Sequence, residues 1–223
     1  MLDVQSNSVW NRRESADPVV SDHLYNIIIG LTLCWGFGVN YLMVTSIPLE
    51  VVLGINPLAL IIGYFVSCLI GITLFTKSDE PAISFLGYNF VVAPIGIILV
   101  PLVNAYDPMI IERALTATAG ITGMMMILGA VYPAFFLSIG RTLMFALLLA
   151  IVAELLFIFI GGVHPSAFDW IFVVIFSGYI GYDWARANQI PKTVDNAIDS
   201  AAALYLDIIN LFIRLLRLLG SRR

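Results

Sequence analysis

The segment Ala203-Leu-Tyr-Leu-Asp207-Ile-Ile-Asn210-Leu-Phe-Ile-Arg214-Leu-Leu-Arg217 is apolar enough for a membrane helix, yet a carboxylate stands near its middle. In hydrocarbon an ionised Asp is costly unless something pairs with it, so such a residue marks a functional site by default. A second carboxylate, Asp183, lies towards the end of the preceding apolar stretch. How these two acids relate decides both the fold and its use.

The rest of the chain has the same character. Of its 223 residues 60% are hydrophobic and 12% charged. A soluble domain of this size needs far more charge to cover its surface, so the composition describes an integral membrane protein. The net charge of −4 says little, because the placement of Lys and Arg matters more than their sum. Cys34 and Cys68 fall in apolar segments without a CxxC or a nearby His. They are expected to be small buried hydrophobes.

Apolar runs long enough to cross a bilayer as helices occupy residues 24–47, 54–76, 82–103, 112–131, 139–161, 167–187 and 198–219. The expected fold is all-α, a polytopic seven-helix bundle over residues 24–220. A polar N-terminal tail at 1–23 and a short C-terminal tail at 221–223 flank it. No cleavable signal peptide is expected, since the tail contains Asn11-Arg12-Arg13-Glu14 and no apolar core of its own. The links carry Pro48 to Pro57, Lys77-Ser-Asp-Glu-Pro81, Asn104-Ala-Tyr-Asp-Pro108, Tyr132-Pro133, Gly161-Gly-Val-His-Pro165 and Ile190-Pro-Lys192.

With the N-terminus in the cytoplasm, inner segments hold Arg12, Arg13, Lys77, Arg141, Arg186 and Lys192, whereas outer loops hold only Arg113. This is a positive-inside pattern for a plasma or inner membrane. The last helix departs from it, because spanning puts Arg222 and Arg223 outside, while a re-entrant path returns them. Small residues in Thr118-Ala-Gly-Ile-Thr-Gly123 and Ala201-Ala-Ala203 are expected to let helices pack closely.

At 100° per residue the last helix gathers Asn196, Asp199, Ser200, Ala203, Asp207, Asn210, Arg214 and Arg217 into a sector of about 100°. Such a stripe suits either a helix lying in the interface or one lining a hydrated path inside a bundle. Asp183 sits about 16 residues into its helix and Asp207 about nine into the next, so antiparallel packing can bring them to one depth. Two nearby carboxyls shielded from water do not both ionise cheaply, and they titrate as a unit. Asp183 and Asp207 are therefore the candidate proton sensor. Glu154, midway along the fifth run, either faces the same path or pairs within the bundle. Asn210, Asp199 and Arg214 are candidate supports. His164 has no second His beside it, which argues against a metal site there.

Gly181-Tyr-Asp183, Ala203-Leu-Tyr-Leu-Asp207-Ile-Ile-Asn-Leu-Phe212 and Leu215-Leu-Arg-Leu-Leu-Gly220 resemble the Bax inhibitor-1, or transmembrane BAX inhibitor motif, family, and its bacterial members above all. The resemblance implies six helices around a central C-terminal helix and a pH-sensitive calcium leak channel. It casts Asp183 and Asp207 as the pH sensor and as a weak, transient Ca²⁺ site. Calcium would be the permeant ion, with no bound cofactor, and the partners would be the bilayer, protons and calcium ions. The sequence departs from relatives that carry a basic cluster after the second helix, for only Lys77 stands here. Tight Ca²⁺ binding wants six to eight oxygens, whereas a pore needs weak, escapable sites.

Three other functions compete with this one. Gly181-Tyr-Asp183 also resembles half of the intramembrane aspartyl protease signature. The second half is missing: Leu204-Tyr-Leu-Asp207 is no Gly-x-Gly-Asp, and no Pro-Ala-Leu follows. No enzymatic activity is expected, and no nucleic-acid partner. A regulatory protein that binds other membrane proteins, or a proton-coupled transporter, stands as the alternative.

Overall fold

A computed structural model describes residues 18–161 and 166–220. Among them are eight helices and no strands: α1 (Asp22–Ser46), α2 (Leu49–Leu53), α3 (Pro57–Lys77), α4 (Pro81–Asn104), α5 (Pro108–Val131), α6 (Pro133–Gly161), α7 (Ser166–Ala187) and α8 (Val194–Gly220). The architecture is all-α, as composition and run length require. Most of the tail expected at 1–23, the tail at 221–223 and the loop with His164 lie outside the described residues.

The observed boundaries differ from the expected ones mainly at helix starts, for identifiable reasons. Proline opens α3, α4, α5 and α6, where its missing N–H is harmless and its fixed φ already fits a helix. Thus α5 begins at Pro108 and α6 at Pro133, several residues before their apolar runs. α8 begins at Val194 because the Thr193 hydroxyl accepts a hydrogen bond from the Asn196 amide at 3.1 Å, a side-chain cap. Within the Pro48–Pro57 link the chain makes one further turn of helix, α2, where the sequence suggested a plain connection.

Five helices, α1, α3, α4, α5 and α6, are long and apolar enough to cross a membrane. α7 and α8, at 22 and 27 residues, have the length but carry more charge. The outward faces are densely apolar: Leu31, Leu69 and Leu149 are each more than 60% exposed. Surfaces of this kind are satisfied by lipid, not water. Cys68 is buried, but Cys34 is exposed, so only one cysteine is the core hydrophobe expected.

The chain forms two compact units. The first contains α1–α4 and Ile190–Ala202. α4 packs against α1, α2 and α3, and α3 crosses it where a Cβ on Gly71 would run into the Gly87 carbonyl. Asn40 donates to the Val92 carbonyl at 3.0 Å and Tyr88 to that of Thr32 at 3.1 Å, pairing buried polar groups that lipid would leave unsatisfied. The first turns of α8 belong here: Ser84 donates to Asp195 at 2.6 Å, and the Tyr25 hydroxyl meets Ser200 at 3.1 Å. Lys192 pairs with Asp22 at 2.8 Å.

The second unit comprises Tyr106–Gln189 and Ala203–Arg223. α7 packs against both α5 and α6. The close crossing falls at Gly129, where an added Cβ would meet the Gly181 carbonyl at 2.5 Å. Of the expected packing motif on α5, Thr118 is buried, whereas Gly120 and Gly123 have open space beside them. The small residues Ala201 and Ala202 of α8 are buried as expected.

Candidate functional site

The site is built on one face of α7 and the facing stretch of α8, both in the second unit. Asp169, Phe172, Phe176, Tyr179 and Asp183 recur at three- and four-residue steps and share a sector of about 80°. On α8, Asp207 and Arg214 stand two turns apart on a common face. Asp183 meets Asp207 near one end of α7, and Asp169 meets Arg214 near the other, so the two segments run antiparallel.

At the first station the Asp183 and Asp207 carboxyl groups are within hydrogen-bonding reach of each other. Both residues are buried, with 9% and 8% exposure. The Arg186 guanidinium approaches Asp183 Oδ1 at 3.4 Å, and the Tyr179 phenol lies close enough to interact with both acids. Asp207 Oδ2 is buried without a hydrogen-bond partner among the described residues. Such an orphan acceptor is uncommon in a folded interior. It suits a group that takes up a proton or a passing cation.

At the second station Arg214 holds two acids from two other helices. Its Nη1 lies 2.5 Å from Glu154 Oε1 and its Nη2 3.0 Å from Oε2, while Nη1 also donates to Asp169 Oδ1 at 3.1 Å. The guanidinium lies over the Phe172 ring, 3.8 Å from its centroid. Planar, doubly bonded and stacked geometry of this kind is available to Arg and not to Lys. The triad borders a cleft of 660 Å³, whose wall includes Tyr106, Ser166 and Arg217.

The remaining candidates are placed apart from these stations. The Asn210 amide donates to the Leu206 carbonyl of its own helix at 2.7 Å. Asp199 is buried in the portion of α8 that belongs to the first unit. Glu154 pairs within the bundle, one of the two roles open to it. Among the described residues no three His, Cys, Asp or Glu side chains converge as a metal-binding group.

Asp169, Tyr179 and Phe172 were not singled out from the sequence. The signal was present, since Asp169 and Asp183 stand on one face of the same helix. Asp169 lies close to the start of its helix, where a carboxylate is ordinary and carries no signal of its own.

Long apolar helices with buried ionisable side chains facing one another define an integral membrane protein with a polar interior. Residues 19–223 match the family described as inhibitor of apoptosis-promoting Bax1. The chain belongs to this family, which is the Bax inhibitor-1 family that its terminal motifs resemble. A protein of Vibrio cholerae, called an uncharacterized membrane protein, is 32% identical over 180 residues, 75% of this chain and 77% of that one. An uncharacterized protein of Deinococcus radiodurans is 32% identical over 146 residues, 62% of each chain. One of Helicobacter pylori is 29% identical over 152 residues, 66% of this chain and 65% of its own. The matched stretch thus spans less than two thirds of the Deinococcus and Helicobacter proteins.

Proposed function

We propose that the protein is a pH-sensitive leak channel for calcium and related cations, gated through protonation of Asp183 and Asp207. The observation that carries this is the buried carboxyl–carboxyl contact, with Asp207 Oδ2 left open. A proton held between two carboxyls lets them attract each other; its loss leaves two like charges that repel in a poorly screened setting. Because the acids stand on different helices, that change of sign becomes a force between α7 and α8.

In this proposal α1, α3, α4, α5, α6, α7 and α8 are seven spans, with the N-terminus in the cytoplasm of a plasma or inner membrane. α8 is the central one. In support, no described residue of α8 is exposed, although the helix carries a polar stripe. Calcium is named from the family likeness. Two carboxylates are too few to trap a divalent ion but suffice for a site that an ion enters and leaves.

The test is cation flux from liposomes containing the purified protein, followed across pH. Wild type is expected to leak in a pH-dependent way, and Asp183→Asn/Asp207→Asn to lose that dependence. A double variant that keeps the wild-type pH profile would remove the pair from this role.

A further inference from the structure

We propose that the barrier to ion passage is not the aspartate pair but Phe172 and Phe176, capped by the clamped guanidinium of Arg214. This rests on the leak-channel reading and assigns its gate. The two polar stations stand on the same face of α7, and what separates them on that face is aromatic. Phe172 and Phe176 are 1% and 8% exposed, and their rings stack with centroids 6.1 Å apart and planes 20° from parallel. On α8, Leu211 lies between Asp207 and Arg214 in sequence and is fully buried. An ion moving from the cleft to the pair must pass a belt that offers it no oxygen, and apolar constrictions of this kind close pores by excluding water.

Arg214 turns that belt into a latch. Its guanidinium lies on the Phe172 ring and is held by Glu154 from α6 and Asp169 from α7. The ring is therefore covered by a group that cannot rotate away without giving up its ion pairs to two buried carboxylates. The charged and titratable groups around the pair include Arg186, Tyr179 and, beside Tyr179, Tyr182; those around the latch include Glu154, Asp169, Arg214, Arg217 and Tyr106. Motion of α8, driven at Asp207, reaches the latch through two turns of the same helix. Sensing and blocking are thus separate, with the sensor at one end of the α7 face and the lid at the other.

The test uses the full chain in liposomes with Cys34 and Cys68 replaced by Ser and a single reporter, Ile180→Cys, one turn beyond Phe176. Ile180 is fully buried. In the Phe172→Ala/Phe176→Ala background we expect a small, charged, membrane-impermeant thiol reagent to modify residue 180 about tenfold faster or more, the rate change of a barrier lowered by one logarithmic step. The same variant should leak at the pH where wild type is closed, and Phe172→Leu/Phe176→Leu should restore closure. Arg214→Lys, which keeps the charge but loses the planar stack, should raise labelling in the same direction and supplies the test if the alanine variant does not fold. Labelling at the wild-type rate in both backgrounds overturns the gate. A wild-type protein that carries no flux at any pH sinks the leak reading instead, and the labelling result then decides the barrier by itself.

Discussion

Arg214 grips Glu154 with both terminal guanidinium nitrogens, at 2.5 and 3.0 Å, although the two residues stand on helices separated by all of α7 in the chain. Asp169 of α7 completes the grip, so one side chain ties together three consecutive long helices. The cost of burying three charges is offset only while all three remain partnered.

Arg214→Ala should therefore be more damaging than removal of the whole cluster. Truncating the arginine takes the shared cation from two buried carboxylates, a loss of about 3–5 kcal/mol. The triple variant Glu154→Gln/Asp169→Asn/Arg214→Met, which removes the charges together, should unfold much closer to wild type. Unfolding in detergent micelles, followed by circular dichroism, checks the order of the two.

The aspartate pair makes a spectroscopic prediction independent of flux. Infrared difference spectra between acid and alkaline samples should contain a protonated-carboxyl band. Asp183→Asn and Asp207→Asn should each change it, because neighbouring acids titrate as one unit. Asp199→Asn, in the other compact unit, should leave it in place.

Backbone crowding at the α5–α7 crossing predicts a contrast within a single helix. Gly129→Ala puts a methyl group into the Gly181 carbonyl and should destabilise by about 1–3 kcal/mol. Gly123→Ala, with nothing within 4 Å of the added carbon, should be neutral or stabilising, since Ala is the better helix former. Midpoints of thermal unfolding separate the two.

Ser84→Ala should loosen the start of α8 without touching the pair. The hydroxyl donates to Asp195 at 2.6 Å in a buried setting, and losing one hydrogen bond to a charged acceptor costs about 1.5–3 kcal/mol. The variant should unfold earlier while its acid–alkaline infrared difference keeps the wild-type form.

Much of this arrangement was legible in the chain because hydrocarbon permits few readings. An acid in the middle of a Leu- and Ile-rich run, such as Asp207, must face either an interface or a hydrated path, and helical periodicity alone puts Arg214 on its face. Asp169 was illegible for the opposite reason: at a helix start a carboxylate is ordinary, and only the fold shows it buried against Arg214. The small-residue motif misled in a related way. Glycines at close spacing say that a helix is able to approach a neighbour, yet of the three glycines along α5 only Gly129 meets one. Proline and threonine marked the helix starts more faithfully than hydrophobicity did, since backbone geometry and capping act at a single residue whereas apolar runs fade out gradually.

Gly181, two residues before Asp183, has one further consequence. Its backbone presses on Gly129, an added Cβ there would strike the Phe136 ring, and next to it Tyr182 packs over Gly140. α7 is thereby keyed into α5 and α6 at the height of Asp183. If the proposed gating holds, α7 is the stator and α8 the rotor. A spectroscopic probe on α7 will report the fixed frame, and the displacement worth measuring is that of α8 against it.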